Sequence, residues 1–180
     1  MTQILGSDGN AAEVDGENRL QTYSTTQNLA ETLLLKGLLS SIFFQVTPAG
    51  AGDYFFYMKN TGTVDIGFNM IQLSSSVPTK VLIERVIGTP VYVGETDAEV
   101  SNLNLSSALS PTMEAKFDTD ITGLTKTGHL VFMEAAVADT EYESGVFGGL
   151  IIPQGAAVAF NRVEATGLIT INLSLGVLSF

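Results

Sequence analysis

Ile169-Thr170-Ile171-Asn172-Leu173-Ser174-Leu175 alternates apolar and polar residues without a break, and this alternation decides the fold. Successive side chains of an extended strand point to opposite faces. Ile169, Ile171, Leu173 and Leu175 therefore share one face, and Thr170, Asn172 and Ser174 the other. One face on a core and one toward water is the mark of an antiparallel sheet. Moving outward, Leu150-Ile151-Ile152 and Ala157-Val158-Ala159-Phe160 flank the turn Pro153-Gln154-Gly155 and read as a hairpin. Leu130-Val131-Phe132-Met133 reads as another core strand. Val81, Ile83 and Ile87 share a face, and Val91 with Val93 continue beyond Gly88-Thr89-Pro90.

Further back, Val64, Ile66, Phe68 and Met70 point one way, and the phase then flips at Ile71 and Leu73, as a bulge would make it. Tyr54-Phe55-Phe56-Tyr57-Met58 is apolar on both faces, which places it centrally and covered on both sides. Leu38 to Val46 is a strand closed by the turn-rich Thr47 to Asp53. The expected inward set is Phe44, Phe56, Val64, Ile66, Phe68, Ile83, Val131, Ile169, Ile171 and Leu173. The segment 95–128 is polar and reads as loop, with weak strands at most near 99–105 and 112–118.

Short strands at this spacing, with no repeat and no second compositional regime, close most naturally as an antiparallel β-sandwich, and jelly-roll winding is the expected topology. The expected division is an arm and linking segment over 1–37 and a sandwich domain over 38–180. Residues 1–18 are polar and Gly-rich with four acids, too poor in apolar side chains to hold themselves together. Asn28 and Glu31 fit a capping box, and Leu29, Leu33 and Leu34 recur at helical spacing, so a short helix over 28–36 ending at Gly37 is expected.

The chemistry-bearing inventory is thin. The 180 residues hold one histidine, no cysteine and no tryptophan. His129, behind Gly128 at a strand entrance, reads as a turn or surface residue. No G-x-S-x-G elbow occurs. Gly50-Ala51-Gly52 begins like a phosphate-binding fingerprint, but Phe55 holds its third glycine position and a strand follows. Asp118-Thr119-Asp120 has the alternating carboxylates of a calcium loop without its glycine or terminal glutamate, so it reads as a solvated turn. These readings point to a protein with no catalytic residues, no metal and no cofactor.

Charge narrows the partners. The net charge is −11, and the eight basic residues are scattered singly, which speaks against nucleic acid. Residues 95–143 hold ten carboxylates against Lys116 and Lys126, or −8 of the total. No run approaches the 18 apolar residues of a membrane span, and the N-terminal residues lack the basic and apolar regions of a secretory signal. Charged residues make up 15% of the chain, against about 25% in ordinary domains. Such a chain has apolar surface to spare for permanent contacts. A homotrimer would cover it, with Tyr54, Tyr57 and Met58 as interface candidates.

Three stretches carry a resemblance. Glu13-Val14-Asp15-Gly16-Glu17-Asn18-Arg19-Leu20-Gln21-Thr22 resembles an N-terminal segment of small β-rich virion proteins of tailed bacteriophages. Asp53 to Gly62 resembles their "YLKN" strand and turn, and Ile152-Pro153-Gln154-Gly155 their late "PPG" turn; residues 95–128 match no motif of theirs. The resemblance implies an arm gripping the particle, with Glu13, Val14, Asp15, Asn18, Arg19 and Leu20 as contact residues. It further implies a sandwich outside the shell, often trimeric, bound to the major capsid protein as a head decoration (cement) protein. A tail or fibre accessory that binds host-surface glycan is the alternative. Location on the virion surface, after synthesis in a host cytoplasm, follows from either.

Overall fold

The computed structural model describes residues 4–5, 11–14, 20–21, 34, 36–105, 111–139, 142–144, 150–164 and 167–178. Three short N-terminal strands, β1 (Ile4–Leu5), β2 (Ala11–Val14) and β3 (Leu20–Gln21), pair antiparallel with one another and with neither large sheet. The segment expected to be ordered only by outside partners thus forms a small ladder of its own. Most of the helix expected over 28–36 lies outside the described residues. At its end Gly37 takes φ 68° and donates its N–H to the Leu34 carbonyl.

The remaining strands are β4 (Leu39–Val46), β5 (Tyr54–Asn60), β6 (Asp65–Ser75), β7 (Thr79–Tyr92), β8 (Thr96–Asp97), β9 (Val100–Asn102), β10 (Met113–Ala135), β11 (Tyr142–Ser144), β12 (Ile151–Ile152), β13 (Ala157–Arg162) and β14 (Ile169–Leu178). They form two antiparallel sheets packed against each other, a β-sandwich. One sheet has the order β11-β6-β14-β4-β9, with β12 also on β6; the other has the order β5-β13-β7-β10-β8. Count β4, β5, β6, β7, β10, the pair β11 and β12, β13 and β14 as first to eighth. The two sheets then run 1-8-3-6 and 2-7-4-5. Among the described residues no helix is long and apolar enough to cross a membrane.

A chain of phenylalanines joins the sheets. Phe44, on the six-stranded sheet, stacks on Phe56 at 4.6 Å and 11° and on Phe117 at 5.2 Å and 17°. Phe160 meets Phe56 edge-on at 5.0 Å and Phe55 at 6.3 Å. Around them Ile42, Ile66, Phe68, Ile71, Leu73, Val81, Ile83, Met133, Ile169, Ile171 and Leu173 are buried. Offset and edge-on ring geometries add to simple area burial, so this chain both fills the core and fixes the spacing between the sheets.

The second sheet departs from the expected pattern. β10 runs unbroken through the polar stretch expected to be loop. Its first part pairs with β5, from Met113 opposite Asn60 to Ile121 opposite Tyr54. Its later part pairs with β7, from Ile121 opposite Tyr92 to Ala135 opposite Thr79. Because β13 pairs with both β5 and β7, the four strands β5, β13, β7 and β10 close into a ring. The ring has its own core of Tyr57, Val86, Ile121, Ala157 and Ala159, flanked by Tyr54, Tyr92 and Leu124. Two glycines let β7 and β10 approach where the ribbon curls. Gly88 (φ 108°) and Gly123 (φ 76°) are left-handed, and a β-carbon on Gly88 would collide with the Gly123 carbonyl, one on Gly123 with the Thr89 carbonyl.

Other expectations need correction. Val64 is exposed, because it ends the turn after Asn60, whose side-chain amide donates to the Val64 carbonyl. Ile87 is exposed; it lies one residue past Val86, the last position at which β7 pairs with β13. β12 and β13 are not a hairpin: β12 pairs with β6 and β13 with β5 and β7, so the turn Pro153 to Gly155 carries the chain from one sheet to the other. The phase flip near Met70 is a register shift, with Leu175 opposite Phe68 and Ser174 opposite Met70.

Truncation of Phe56 to alanine removes the ring that links Phe44 to Phe160 and should cost about 3–5 kcal/mol. Alanine at Phe132, which is exposed, should change stability by less than about 0.5 kcal/mol. Urea unfolding followed by circular dichroism compares the two.

Candidate functional site

β7 is apolar on both faces near its middle, with Val81 and Ile83 turned to the sandwich core and Val86 to the ring core. Glu84 stands on the ring side of this strand and is buried. A buried carboxylate needs partners, and the ring supplies them from two strands. Tyr54 Oη, on β5, donates to Glu84 Oε2 at 2.6 Å. On β10, His129 stands directly opposite Glu84 in register, and its Nδ1 lies 2.9 Å from Glu84 Oε1. Lys126 Nζ lies 3.4 Å from the same oxygen and 3.2 Å from His129 Nε2. The single histidine is thus a surface residue, as expected, but it lies within β10 and is one arm of a carboxylate network joining three strands of the ring.

Chemically the cluster is a fastening. A carboxylate and imidazole in this order can orient a base, but the far nitrogen of His129 faces Lys126 instead of a hydroxyl nucleophile. Sequence reading missed Glu84 and Lys126. The available signal was a lone acid inside Val81-Leu82-Ile83-Glu84-Arg85-Val86-Ile87, a run with apolar residues on both faces.

Burial pushes the Tyr54 phenol up from its ordinary value, and the hydrogen bond to Glu84 and that carboxylate's charge push it further. Tyr92 is raised by burial and then by Glu114, and Tyr57 by the same two causes. Each phenol holds its proton more tightly folded than unfolded. The stability this contributes is present below about pH 10, the unfolded value, and is lost as pH rises above it.

Asp118 is neither a solvated turn residue nor an open metal ligand. It is buried, and its Oδ2 accepts from the N–H groups of Val93 at 2.6 Å and Gly94 at 2.8 Å, while Oδ1 accepts from Thr119 N–H at 2.6 Å. Burial alone pushes this carboxyl up, but the three backbone donors outweigh it and hold it below its ordinary value. Asp118 therefore caps the turn that ends β7. Its neighbour Asp120 is pushed up by burial and by Asp53 and Asp118. Among the described residues no group of three or more His, Cys, Asp or Glu could hold a metal ion. Arg162 is fully buried at the end of β13; its Nε donates to the Glu164 carbonyl at 2.6 Å and its Nη1 to the Gly167 carbonyl at 3.2 Å, so it ties down the approach to β14.

Of the arm residues, Glu13 and Val14 lie on β2 opposite Gln21 and Leu20 of β3; Asp15, Asn18 and Arg19 lie outside the described residues. Tyr57 and Met58 do not suit an interface between subunits, because the chain covers them itself: Met58 in the main core and Tyr57 in the ring core. Tyr54 is committed to Glu84. The exposed apolar residues lie elsewhere, with Ile87 and Val91 57% and Val93 79% exposed along β7 and its exit, and Leu130 and Phe132 on β10. Comparison with family models, curated proteins and solved structures finds no match for this chain.

Replacing Glu84 by Gln should cost about 1.5–3 kcal/mol, the worth of a hydrogen bond to a charged acceptor, read from urea unfolding. Alkaline titration followed by tyrosinate absorbance should show Tyr54, Tyr57 and Tyr92 ionising late, after the ordinary phenol range near pH 10 has passed. Three of the five tyrosines should thus be delayed, and Glu84→Gln should advance one of them.

Proposed function

We propose that this chain is a non-enzymatic virion structural protein, a capsid decoration (cement) protein that binds the major capsid protein and stabilises the head as a homotrimer. The observation that carries the reading is the apolar strip Ile87, Val91 and Val93, exposed on the outside of a ring whose inside is already filled. A sandwich with a complete core has no folding reason to keep such a strip in water, and association is the usual reason. The strand order 1-8-3-6 against 2-7-4-5 is compatible with the expected jelly-roll winding and lends support to the same reading, since shell proteins are often wound this way. The N-terminal ladder pairs with neither sheet, which suits an attachment device carried beside the sandwich. A second reading, a tail or fibre accessory that binds host-surface glycan, is favoured by the uncharged polar residues that β4, β14 and β6 place on the outer face of the six-stranded sheet.

Sedimentation of the purified protein should give a trimer, and the double variant Val91→Asp, Val93→Asp a folded monomer at micromolar concentration. Particles lacking the protein should release their genome at a lower temperature than particles carrying it. A wild-type monomer speaks against the assembly, and equal release temperatures against the stabilising role.

A further inference from the structure

We propose that the outer face of the six-stranded sheet is a binding site for a neutral oligosaccharide. Two rows of side chains cross β4, β14 and β6 there. Gln45, Thr170 and Ser74 form one row, and Phe43, Asn172 and Gln72 the next. All of these but Gln45 border an open hollow of about 380 Å³, which Asp139 also lines. That volume lies within the roughly 300–1,000 Å³ of small-ligand sites.

Three features select a sugar. Phe43 is 59% exposed amid polar neighbours, and its ring is a flat apolar platform of the size of a pyranose C–H face. The polar groups around it are pre-oriented but not exhausted. Asn172 Nδ2 donates to Gln72 Oε1 at 2.8 Å, which leaves Asn172 Oδ1 and Gln72 Nε2 uncommitted. Gln45 Nε2 donates to Thr170 Oγ1 at 3.1 Å, which leaves Gln45 Oε1 and the Thr170 hydroxyl proton uncommitted. Each pair so presents one acceptor and one donor, the pattern that a sugar hydroxyl, both donor and acceptor, satisfies. Finally, the six side chains of the two rows carry no charge in a chain of net charge −11, and the rim group is a carboxylate. An anion such as a phosphate, a sulfated chain or a sialylated chain finds no cation among these lining residues and the carboxylate of Asp139 beside them, while the register places a further acid, Glu143 of β11, opposite Gln72.

A second copy of the chain is the competing occupant, and the chemistry disfavours it. Interfaces between copies concentrate apolar residues at their centre, whereas one phenylalanine stands here among five uncharged polar side chains. The apolar strip of β7 belongs to the other sheet. Asp139 adds a local constraint: it adopts φ 56°, with its N–H donating to the Ser75 carbonyl, so its position beside the hollow is fixed by backbone.

The test is an array of immobilised neutral glucans, galactans, mannans and xylans, together with sialylated and sulfated chains, probed with the labelled full-length protein. The best-bound neutral chain is then titrated by calorimetry. Binding to a neutral chain is expected, with a loss of at least about tenfold in Phe43→Ala and in Asn172→Ala, and none in Phe132→Ala. Both test positions are surface residues, and circular dichroism confirms that the variants fold. The site is refuted if no neutral chain binds, if acidic chains bind better, or if Phe43→Ala binds as well as wild type. It is equally refuted if sedimentation shows an oligomer that Phe43→Ala dissociates. The inference stands apart from the decoration reading: particle attachment by Phe43→Ala should be unimpaired, so failure of either leaves the other standing.

Discussion

The stacking of Phe44 on Phe56 across the gap between the sheets is the contact on which the rest of the molecule depends. It comes from strands that are adjacent in sequence but lie in different sheets, so the first crossing of the chain from one sheet to the other is fixed by this contact. Phe117 and Phe160 extend the stack along the second sheet. With no tryptophan and no disulfide available, these rings provide the large rigid volumes that a sandwich of this size needs. Burial of one such ring is worth about 1.5–3 kcal/mol, a sizeable part of the net stability of a domain.

The ring of β5, β13, β7 and β10 follows from a second constraint. A long strand pair twists, and its twist must either run into solvent or be turned back. Here Gly88 and Gly123 let it turn back, and β10 reaches the free edge of β5. Closure removes an edge that would otherwise offer unpaired N–H and C=O groups to another chain. It also creates an interior in which Glu84 is buried, and Tyr54, Lys126 and His129 compensate that carboxylate. Lys126 and His129 are partly exposed, so the network meets water on one side. The arrangement reduces the cost of a buried charge without enclosing a full ion pair.

Period-two patterning made much of the sandwich legible. The alternation in β14, the two-faced apolar run in β5 and the phase flip in β6 all translate directly into sheet positions, because side-chain direction in a strand is local. The polar stretch within β10 was not legible for the same reason. On a ribbon that curls over the outside of a sheet, Thr119, Thr122, Thr125 and Thr127 sit where half the positions meet water, and alternation with apolar residues is no longer required. The false hairpin at β12 and β13 has another cause: a turn looks alike whether its strands pair with each other or part to separate sheets. Tyr57 reads as surplus apolar surface because the ring core that covers the outer side of β5 comes from β7, β10 and β13, all distant in sequence, while Met58 on the inner side is covered by the main core.

The site was less legible than the fold because its chemistry is made by register. His129 and Glu84 become partners only because β7 and β10 pair with two register shifts between Lys126 and Val131. The two outer faces show the same dependence with opposite results. On the second sheet the ribbon folds inward and leaves Ile87, Val91 and Val93 outside, apolar and near acidic turns. On the first sheet nothing in the described chain folds over β4, β14 and β6, and their outward positions are amides and hydroxyls around one phenylalanine. Two faces so different in polarity do not suit the same kind of partner. The apolar ribbon suits another protein surface, which can bury it, and the amide face suits a ligand whose hydroxyls pair with those amides and hydroxyls.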